Sequence, residues 1–391
     1  MMPVLIVILS LALVVIVLWD AFETIVLPRR VTRRVRLTSV YYRVSWRPWR
    51  ALCLSIRTRK RREMLLSVYG PLSLIALLSL WAITLIFSFA LLHWALGTQL
   101  QTPDTQHGFG TYLYMSGVTF FTLGFGDVIP LLRLGRTLAV VEAGVGFGFL
   151  ALIIGYLPVI YQGFSAREVN ISLLDARAGT PPTAAELLRR HGRNGNMEAL
   201  NELLKDWERW GAELMESHLS YPVLCYFRSQ HDNQSWLSAL ATILDTCALV
   251  MVGVDGAPNW QAQLTFAMAR HAVVDISQIF DADPRSRTDF DDRLGVDELA
   301  RLRASLAADR VPLRDGADAD ERLAQLRRMY ESYTNVLADY LAMPLPPWIH
   351  AKDVVDNWQT SAWERNPQKL ATTFKGVCDR DRSKREVMKA E

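Results

Sequence analysis

The sequence predicts an all-α membrane protein that carries a second helical part outside the membrane. Half of its 391 residues are hydrophobic, and the mean hydropathy is positive at +0.11. Three apolar runs, all before residue 165, are long enough to cross the roughly 30 Å hydrocarbon core of a bilayer as helices. The rest of the chain places apolar residues at three-to-four spacing, and strand-like alternation is scarce, which favours helices there too.

The first apolar run covers residues 3–19 and continues to Leu27. It predicts an N-terminal transmembrane helix within residues 1–28. A cleaved signal peptide is the alternative, but such a peptide begins with a basic region, and here the basic residues follow the apolar run.

A basic linker, residues 29–63, follows the first helix. Between Arg29 and Arg62 it contains 12 arginines and one lysine, with no acidic residue. Short loops rich in arginine stay in the cytoplasm, so the N-terminus is expected outside and the chain from about Ser165 onward inside. Its tyrosines and tryptophans suit the headgroup level, where residues 29–62 would bind anionic lipid. The alternative is that the basic residues of the linker only determine the membrane topology and have no regulatory role. A voltage sensor is disfavoured, because these arginines follow an apolar span and do not lie within one.

The second and third apolar runs predict an outer helix at residues 64–97 and an inner helix at residues 136–161. The stretch Leu65–Leu96 contains no Lys, Arg, Asp or Glu, and Glu142 alone interrupts Thr137–Tyr161. The connecting segment after Leu96 has Asp104 and no basic residue before Gly108, as an external loop should.

The segment between these two runs predicts a re-entrant pore helix at residues 109–121. This helix is too short to cross the bilayer, and Gly124 and Gly126 follow it directly. Irregular backbone at membrane depth survives only where it is buried in protein or lines a water-filled path. Glycines at alternate positions accept positive φ and let successive carbonyls point the same way, so that their oxygens can replace the hydration shell of a cation.

The residues Thr122-Leu123-Gly124-Phe125-Gly126-Asp127 resemble the Thr-Val-Gly-Tyr-Gly-Asp selectivity filter of pore-loop potassium channels. Pro130, the pair Gly135-Arg136 and Gly146 follow at a spacing that resembles a simple two-helix, bacterial potassium-channel-like protein. Leu123 and Phe125 depart from the family pattern. Phe125 lacks the hydroxyl that often braces the filter, which leaves the strictness of K⁺ over Na⁺ selectivity open.

The resemblance implies a homotetramer, a tetrameric potassium-channel pore fold over residues 64–164, and passive conduction without catalysis or a cofactor. K⁺ would be the permeant ion, held by the main-chain oxygens of Thr122, Leu123, Gly124 and Phe125. Gly146 corresponds to the hinge of the inner helix. The residues that would face the cavity or the gate are Phe147, Leu150, Ile154 and Pro158. The alternative is that Gly144, Gly146 and Gly148 merely allow close helix packing.

Glu142 is the most unusual residue of the third run, since a carboxylate at membrane depth is costly unless it is paired, protonated or hydrated. We expect it to hydrogen-bond behind the filter, to Ser116, Thr119 or a neighbouring subunit, and to hold the pore helix. A structural carboxylic acid without influence on conduction is the alternative.

Residues 165–378 predict a helical cytoplasmic domain that modulates gating. A linker at Ala178–Thr183 precedes the helical segments Met197–Glu216, Ser235–Gly253, Pro258–Phe280 and Ala319–Met343. The second of these is apolar enough for a fourth span, but Asp245 in its middle favours a buried bundle helix. The tail, residues 379–391, is charged and expected to be disordered.

The sequence does not indicate a disulfide-stabilised, nucleotide-binding, metal-binding or nucleic-acid-binding protein. Four scattered cysteines argue against a disulfide framework and fit a reducing compartment. No Gly-rich nucleotide loop, zinc-ligand spacing or calcium loop is present in the sequence, and the net charge of +3 suggests no nucleic-acid partner. The sequence therefore predicts a multi-pass protein of a bacterial inner membrane, with the ligand of its cytoplasmic domain unidentified. A less selective cation channel and a non-conducting signalling or scaffold protein are the two rival functions.

Overall fold

The protein is described here by a computed structural model, which covers residues 2–27, 36–103, 108–192, 197–231, 233–254, 256–283, 290–350 and 356–359. Asp104, the linker residues 29–35 and the tail at residues 379–391 lie outside the described residues. The chain divides into two compact units, residues 1–163 and residues 164–391.

The described residues are almost entirely helical. The first unit contains α1 (Met2–Ala21), a π-helical turn (Phe22–Val26), α2 (Leu37–Leu54), α3 (Arg59–Ala95) and α4 (Phe109–Phe120). Helix α5 (Arg133–Ala178) follows. The second unit contains α6 (Ala184–Gly192), α7 (Met197–Ser220), α8 (Trp236–Gly253), α9 (Asn259–Ile279), α10 (Val296–Ala308), α11 (Ala317–Arg328) and α12 (Glu331–Leu341), with 3₁₀ turns at Pro222–Tyr226 and Asn357–Gln359. One sheet has two strands, β1 (Leu100–Gln101) and β2 (Ile129–Pro130).

Four of the described helices are long and apolar enough to cross a membrane: α1 with its π-helical turn, α3, α5 and α8. The first three contain the apolar runs of the sequence. Helix α3 starts before the predicted outer helix, and α5 extends at both ends beyond the predicted inner helix. The apolar run identifies only the part of a helix that suits lipid, because polar residues continue a helix equally well in water.

Helix α8 differs from the other three because it is buried inside the second unit. Its apolar window is 89% buried, against 11% in α1 and 17% in α5. Helices α6, α7, α9, α11 and α12 pack around it. The sequence analysis favoured a buried bundle helix here because of Asp245, and this burial agrees with that interpretation. A helix whose apolar window is 89% buried has little apolar surface left to contact lipid.

The linker contains a helix that the sequence analysis did not predict. Helix α2 runs antiparallel to the first turns of α3, where the Tyr41 hydroxyl donates to the Ser73 carbonyl and the Trp49 indole donates to the Leu65 carbonyl. Asp20 from α1 caps the N-terminus of α2. Its carboxylate accepts a hydrogen bond of 3.1 Å from the Thr38 amide and one of 2.6 Å from the Thr38 hydroxyl. A carboxylate is favourable at that end of a helix dipole.

The prediction of one continuous helix over Ala319–Met343 is wrong, because the chain breaks between α11 and α12. Tyr330 leaves helical geometry with φ −136°, and its side chain is fully buried. Its hydroxyl donates to the carboxylate of Asp245 at 2.5 Å. The apolar spacing continues through the break, so periodicity alone could not reveal it.

Candidate functional site

The loop after α4 is the centre of the candidate pore site. Helix α4 has 12 residues and is therefore about 18 Å long, too short to cross a bilayer. The chain then turns at Phe121 and runs without regular structure through residues 122–127. Strands β1 and β2 pair antiparallel, Leu100 with Pro130 and Gln101 with Ile129, so the segments before and after the re-entrant part are tied together.

The backbone of this loop alternates in handedness. Thr122, Gly124 and Gly126 have φ of +55°, +65° and +75°, whereas Leu123 and Phe125 between them are not at positive φ. Alternation of this kind turns successive carbonyls of an extended segment toward one side, which a cation-binding column requires. Among the described residues, no atom outside the two adjacent residues lies within 4 Å of a Cβ placed on Gly124 or Gly126, so the need for glycine there is conformational.

The predicted filter side chains are largely exposed in the single chain. Leu123 is 55% exposed and Phe125 is 66% exposed. Asp127, at the end of the loop, accepts a hydrogen bond of 2.8 Å from the hydroxyl of Tyr114 on α4. This bond links the half-helix to the end of the filter segment. Tyr114 was not identified from the sequence, where it is one aromatic residue among several in an apolar helix.

A buried polar cluster lies where α3, α4 and α5 meet. Glu142 of α5 is fully buried and accepts a hydrogen bond of 2.6 Å from the hydroxyl of Ser116 on α4. Its second oxygen lies 3.6 Å from Nε2 of His93 on α3. The other ring nitrogen, Nδ1, is 3.2 Å from the hydroxyl of Thr98.

Ser116 is one of the partners expected for Glu142, while His93 was missed. The histidine side chain is also fully buried. Nothing in the sequence relates a single histidine at the end of one apolar run to a carboxylate inside the next. The influence of Glu142 on conduction stays a prediction.

Gly146 brings α5 against the backbone of α4. A Cβ built on Gly146 would lie 2.0 Å from the carbonyl oxygen of Phe120, whereas Cβ atoms on Gly144 and Gly148 would meet no described atom within 4 Å apart from their own stretch of helix. The close-packing role therefore applies to Gly146 in this chain and not to the two neighbouring glycines. The role of Gly146 as a hinge of the inner helix stays a prediction.

The predicted cavity-facing residues lie on one side of α5. At 100° per residue Phe147, Leu150, Ile154 and Pro158 fall within a sector of about 80°. The first three are 68%, 53% and 64% exposed, and Pro158 is exposed within an unbroken helix. Val141 and Leu134 lie on the other side of α5, about 120° and 140° around the helix from Phe147, and are also 52% and 64% exposed, so exposure in one chain does not single out this sector.

The described residues contain no group of three or more His, Cys, Asp or Glu side chains that could hold a metal ion. The site offers instead main-chain oxygens in the loop and one buried acid–imidazole pair behind it.

Comparison with known proteins supports an ion channel domain. The model of a family described as "Ion channel" matches residues 75–162, which extend from within α3 through α4 and the loop into α5. An uncharacterized membrane protein, YdjJ of Bacillus subtilis (strain 168), is 23% identical over 195 residues, or 48% of this chain and 55% of that protein. Protein LctB of Bacillus caldotenax is 32% identical over 84 residues, or 19% of this chain and 62% of that protein.

The chain thus spans between about half and two thirds of the length of these relatives. No solved structure matches it. The apolar helices and the relative named as a membrane protein agree that this is a membrane protein.

Proposed function

We propose that the chain is one subunit of a homotetrameric, potassium-selective channel that conducts K⁺ passively. The observation that carries the proposal is the alternating backbone at Thr122, Gly124 and Gly126 directly after a half-helix too short to span the bilayer. K⁺ would be held by the main-chain oxygens of Thr122, Leu123, Gly124 and Phe125, which replace water around the ion. The family match over residues 75–162 supports ion conduction in general.

A homotetramer follows from the proposed mechanism, because one loop supplies only a quarter of a carbonyl ring. The exposed side chains of Leu123 and Phe125 would be covered by neighbouring subunits. The sector of α5 that contains Phe147, Leu150, Ile154 and Pro158 would line the cavity and the gate.

The proposed topology places the N-terminus outside and the helical second unit in the cytoplasm, where it would modulate gating. This arrangement keeps the basic linker on the inner side of a bacterial inner membrane. Three arginines of α2 (Arg43, Arg47 and Arg50) would contact anionic lipid in this topology. Conduction of this kind needs neither a cofactor nor catalytic residues, and no nucleic acid takes part.

Ion flux into liposomes that contain the purified protein tests the proposal. The expected result is K⁺ or Rb⁺ uptake that greatly exceeds Na⁺ uptake. Gly124→Ala should abolish uptake, since a side chain at φ +65° costs about 1–2 kcal/mol in each subunit and distorts the carbonyl column. Gly110→Ala is the matched control, because Gly110 lies in α4 at ordinary helical φ with open space around it.

Two outcomes would replace the proposal by its rivals. Equal uptake of K⁺ and Na⁺ would indicate a less selective cation channel, which the departures at Leu123 and Phe125 make a specific alternative. No uptake by an intact, folded oligomer would indicate a signalling or scaffold protein with a channel-like core.

A further inference from the structure

The buried contact between His93 and Glu142 supports an inference that deepens the proposed function and rests on it. Both side chains are fully buried, and they come from the two long helices on either side of the pore helix. Nε2 of His93 faces Oε2 of Glu142 at 3.6 Å. Among the described residues neither atom has a hydrogen-bond partner within the usual distance, so the other atom of the pair is the nearest candidate.

The other polar atom of each side chain already has a hydrogen-bond partner. Glu142 Oε1 accepts from the Ser116 hydroxyl, and His93 Nδ1 contacts the Thr98 hydroxyl. Two bare lone pairs facing each other at Nε2 and Oε2 would repel, and burying them without a hydrogen bond is costly. A proton between these two atoms, carried either by the imidazole or by the carboxyl group, would remove this repulsion and satisfy both atoms.

The net charge of the pair can be inferred from its burial. When Nδ1 donates to Thr98, the pair is either an imidazolium with a carboxylate or a neutral imidazole with a carboxylic acid. The two forms differ only by transfer of the proton across the Nε2 to Oε2 contact, and both have no net charge. A net charge enclosed in this low-dielectric setting would be costly, which favours the neutral pair over a carboxylate beside a neutral imidazole.

The pair reaches the pore helix through Ser116. This residue lies on α4, six positions before Thr122 and close to the start of the filter loop. Its hydroxyl has one strong acceptor, Glu142 Oε1 at 2.6 Å. The hydrogen bond from Ser116 to Glu142 therefore ties α4 to α5 about one helical turn from the close approach of Gly146 to Phe120.

We propose that His93 and Glu142 form a neutral, proton-sharing pair that positions the pore helix through Ser116 and so holds the filter loop in its K⁺-selective form. Both are positioning residues, since neither touches the ion path. The pair would fix three helices of one subunit around the filter from behind. Glu142 has this role only together with His93.

A double-mutant cycle on the full-length protein in detergent tests the pair without using ion flux. The variants are His93→Gln, Glu142→Gln and the double variant, and the measurement is the rate of thermal unfolding. Each single variant should unfold faster than the wild type, and the double variant should unfold more slowly than the two effects combined predict. Coupled contacts typically differ from additivity by about two- to 150-fold. Ser88→Ala is the control, because Ser88 is equally buried on α3 but bonds only to its own helix at Thr84.

Ser116→Ala separates a positioning role from a merely structural one. It should leave the coupling between His93 and Glu142 intact and reduce the preference for K⁺ over Na⁺ in liposomes. Additive effects in the cycle would overturn the pair. An unchanged K⁺ preference in Ser116→Ala would overturn its role in positioning the filter. Absence of K⁺ flux in the wild type would instead refute the proposed function, while the cycle would still report on the pair.

Discussion

Replacement of Gly146 by alanine is the sharpest single test of how α5 supports the pore helix. The added methyl group would lie 2.0 Å from the carbonyl oxygen of Phe120 and 2.8 Å from its carbonyl carbon. Both are main-chain atoms at the end of α4, so no rotation of a side chain can relieve the clash. The separation must increase by about 1.4 Å to reach 3.4 Å, where ordinary contacts begin.

The energetic effect has two opposing parts. Overpacking costs about 1–3 kcal/mol, and the upper end applies because the neighbour is backbone. Alanine is favoured over glycine inside a helix by about 1 kcal/mol. The net destabilisation is therefore about 2 kcal/mol in each subunit, combined with displacement of the residues that lead into Thr122.

Thermal denaturation of the purified protein together with liposome flux is the assay. We expect Gly146→Ala to melt several degrees below the wild type and to lose K⁺ preference. Gly144→Ala and Gly148→Ala are matched controls on the same helix, because the part of the chain that the structure describes places no atom of another element within 4 Å of the new methyl group. A Gly146→Ala protein that melts like these controls would refute the packing argument, and altered gating without any loss of stability would favour the hinge.

Three further predictions concern other parts of the chain. Tyr114→Phe removes the hydrogen bond to Asp127 and should lower the K⁺ over Na⁺ flux ratio, whereas Tyr112→Phe, which loses a bond to the Thr98 carbonyl, should leave the ratio unchanged. Arg293→Met leaves the buried carboxylate of Asp245 without its bidentate partner and should destabilise the protein by about 3–5 kcal/mol in denaturant titrations, while exposed Arg301→Met should cost under about 1 kcal/mol. Burial and the nearby Arg167 guanidinium hold the pKa of His218 well below its ordinary value, so the unfolded chain binds a proton more readily there. Stability should therefore fall by about 1 kcal/mol from pH 6.5 to 5.5, and His218→Gln should remove that loss; an unchanged slope would contradict the assignment.

The sequence predicted those features that depend on long or local signals. An uninterrupted apolar run suffices to indicate α1, α3 and the first half of α5, because lipid tolerates few charges. Glycines at alternate positions after a short apolar helix indicated a loop with positive φ, and Gly124 and Gly126 have it. Thr122 has positive φ as well, which the residue type alone does not suggest.

Features that depend on contacts between distant residues were not predicted. Helix α2 was missed because its stability comes from packing on α3 and from Asp20 at its N-terminus, while Pro48 and the arginines suggest an irregular linker. The contact between His93 and Glu142 forms only where α3, α4 and α5 pack together, so neither residue alone indicates it. The break at Tyr330 follows from its bond to Asp245 on α8, which lies far away in the chain.

A density map of the assembled protein in K⁺ tests the central claim most directly. The account predicts four copies of residues 122–126 around one axis, with ion density between the main-chain oxygens of Thr122, Leu123, Gly124 and Phe125. That density should change when Na⁺ replaces K⁺. Loops that lie far from any symmetry axis, or whose carbonyls turn away from it, would contradict the account.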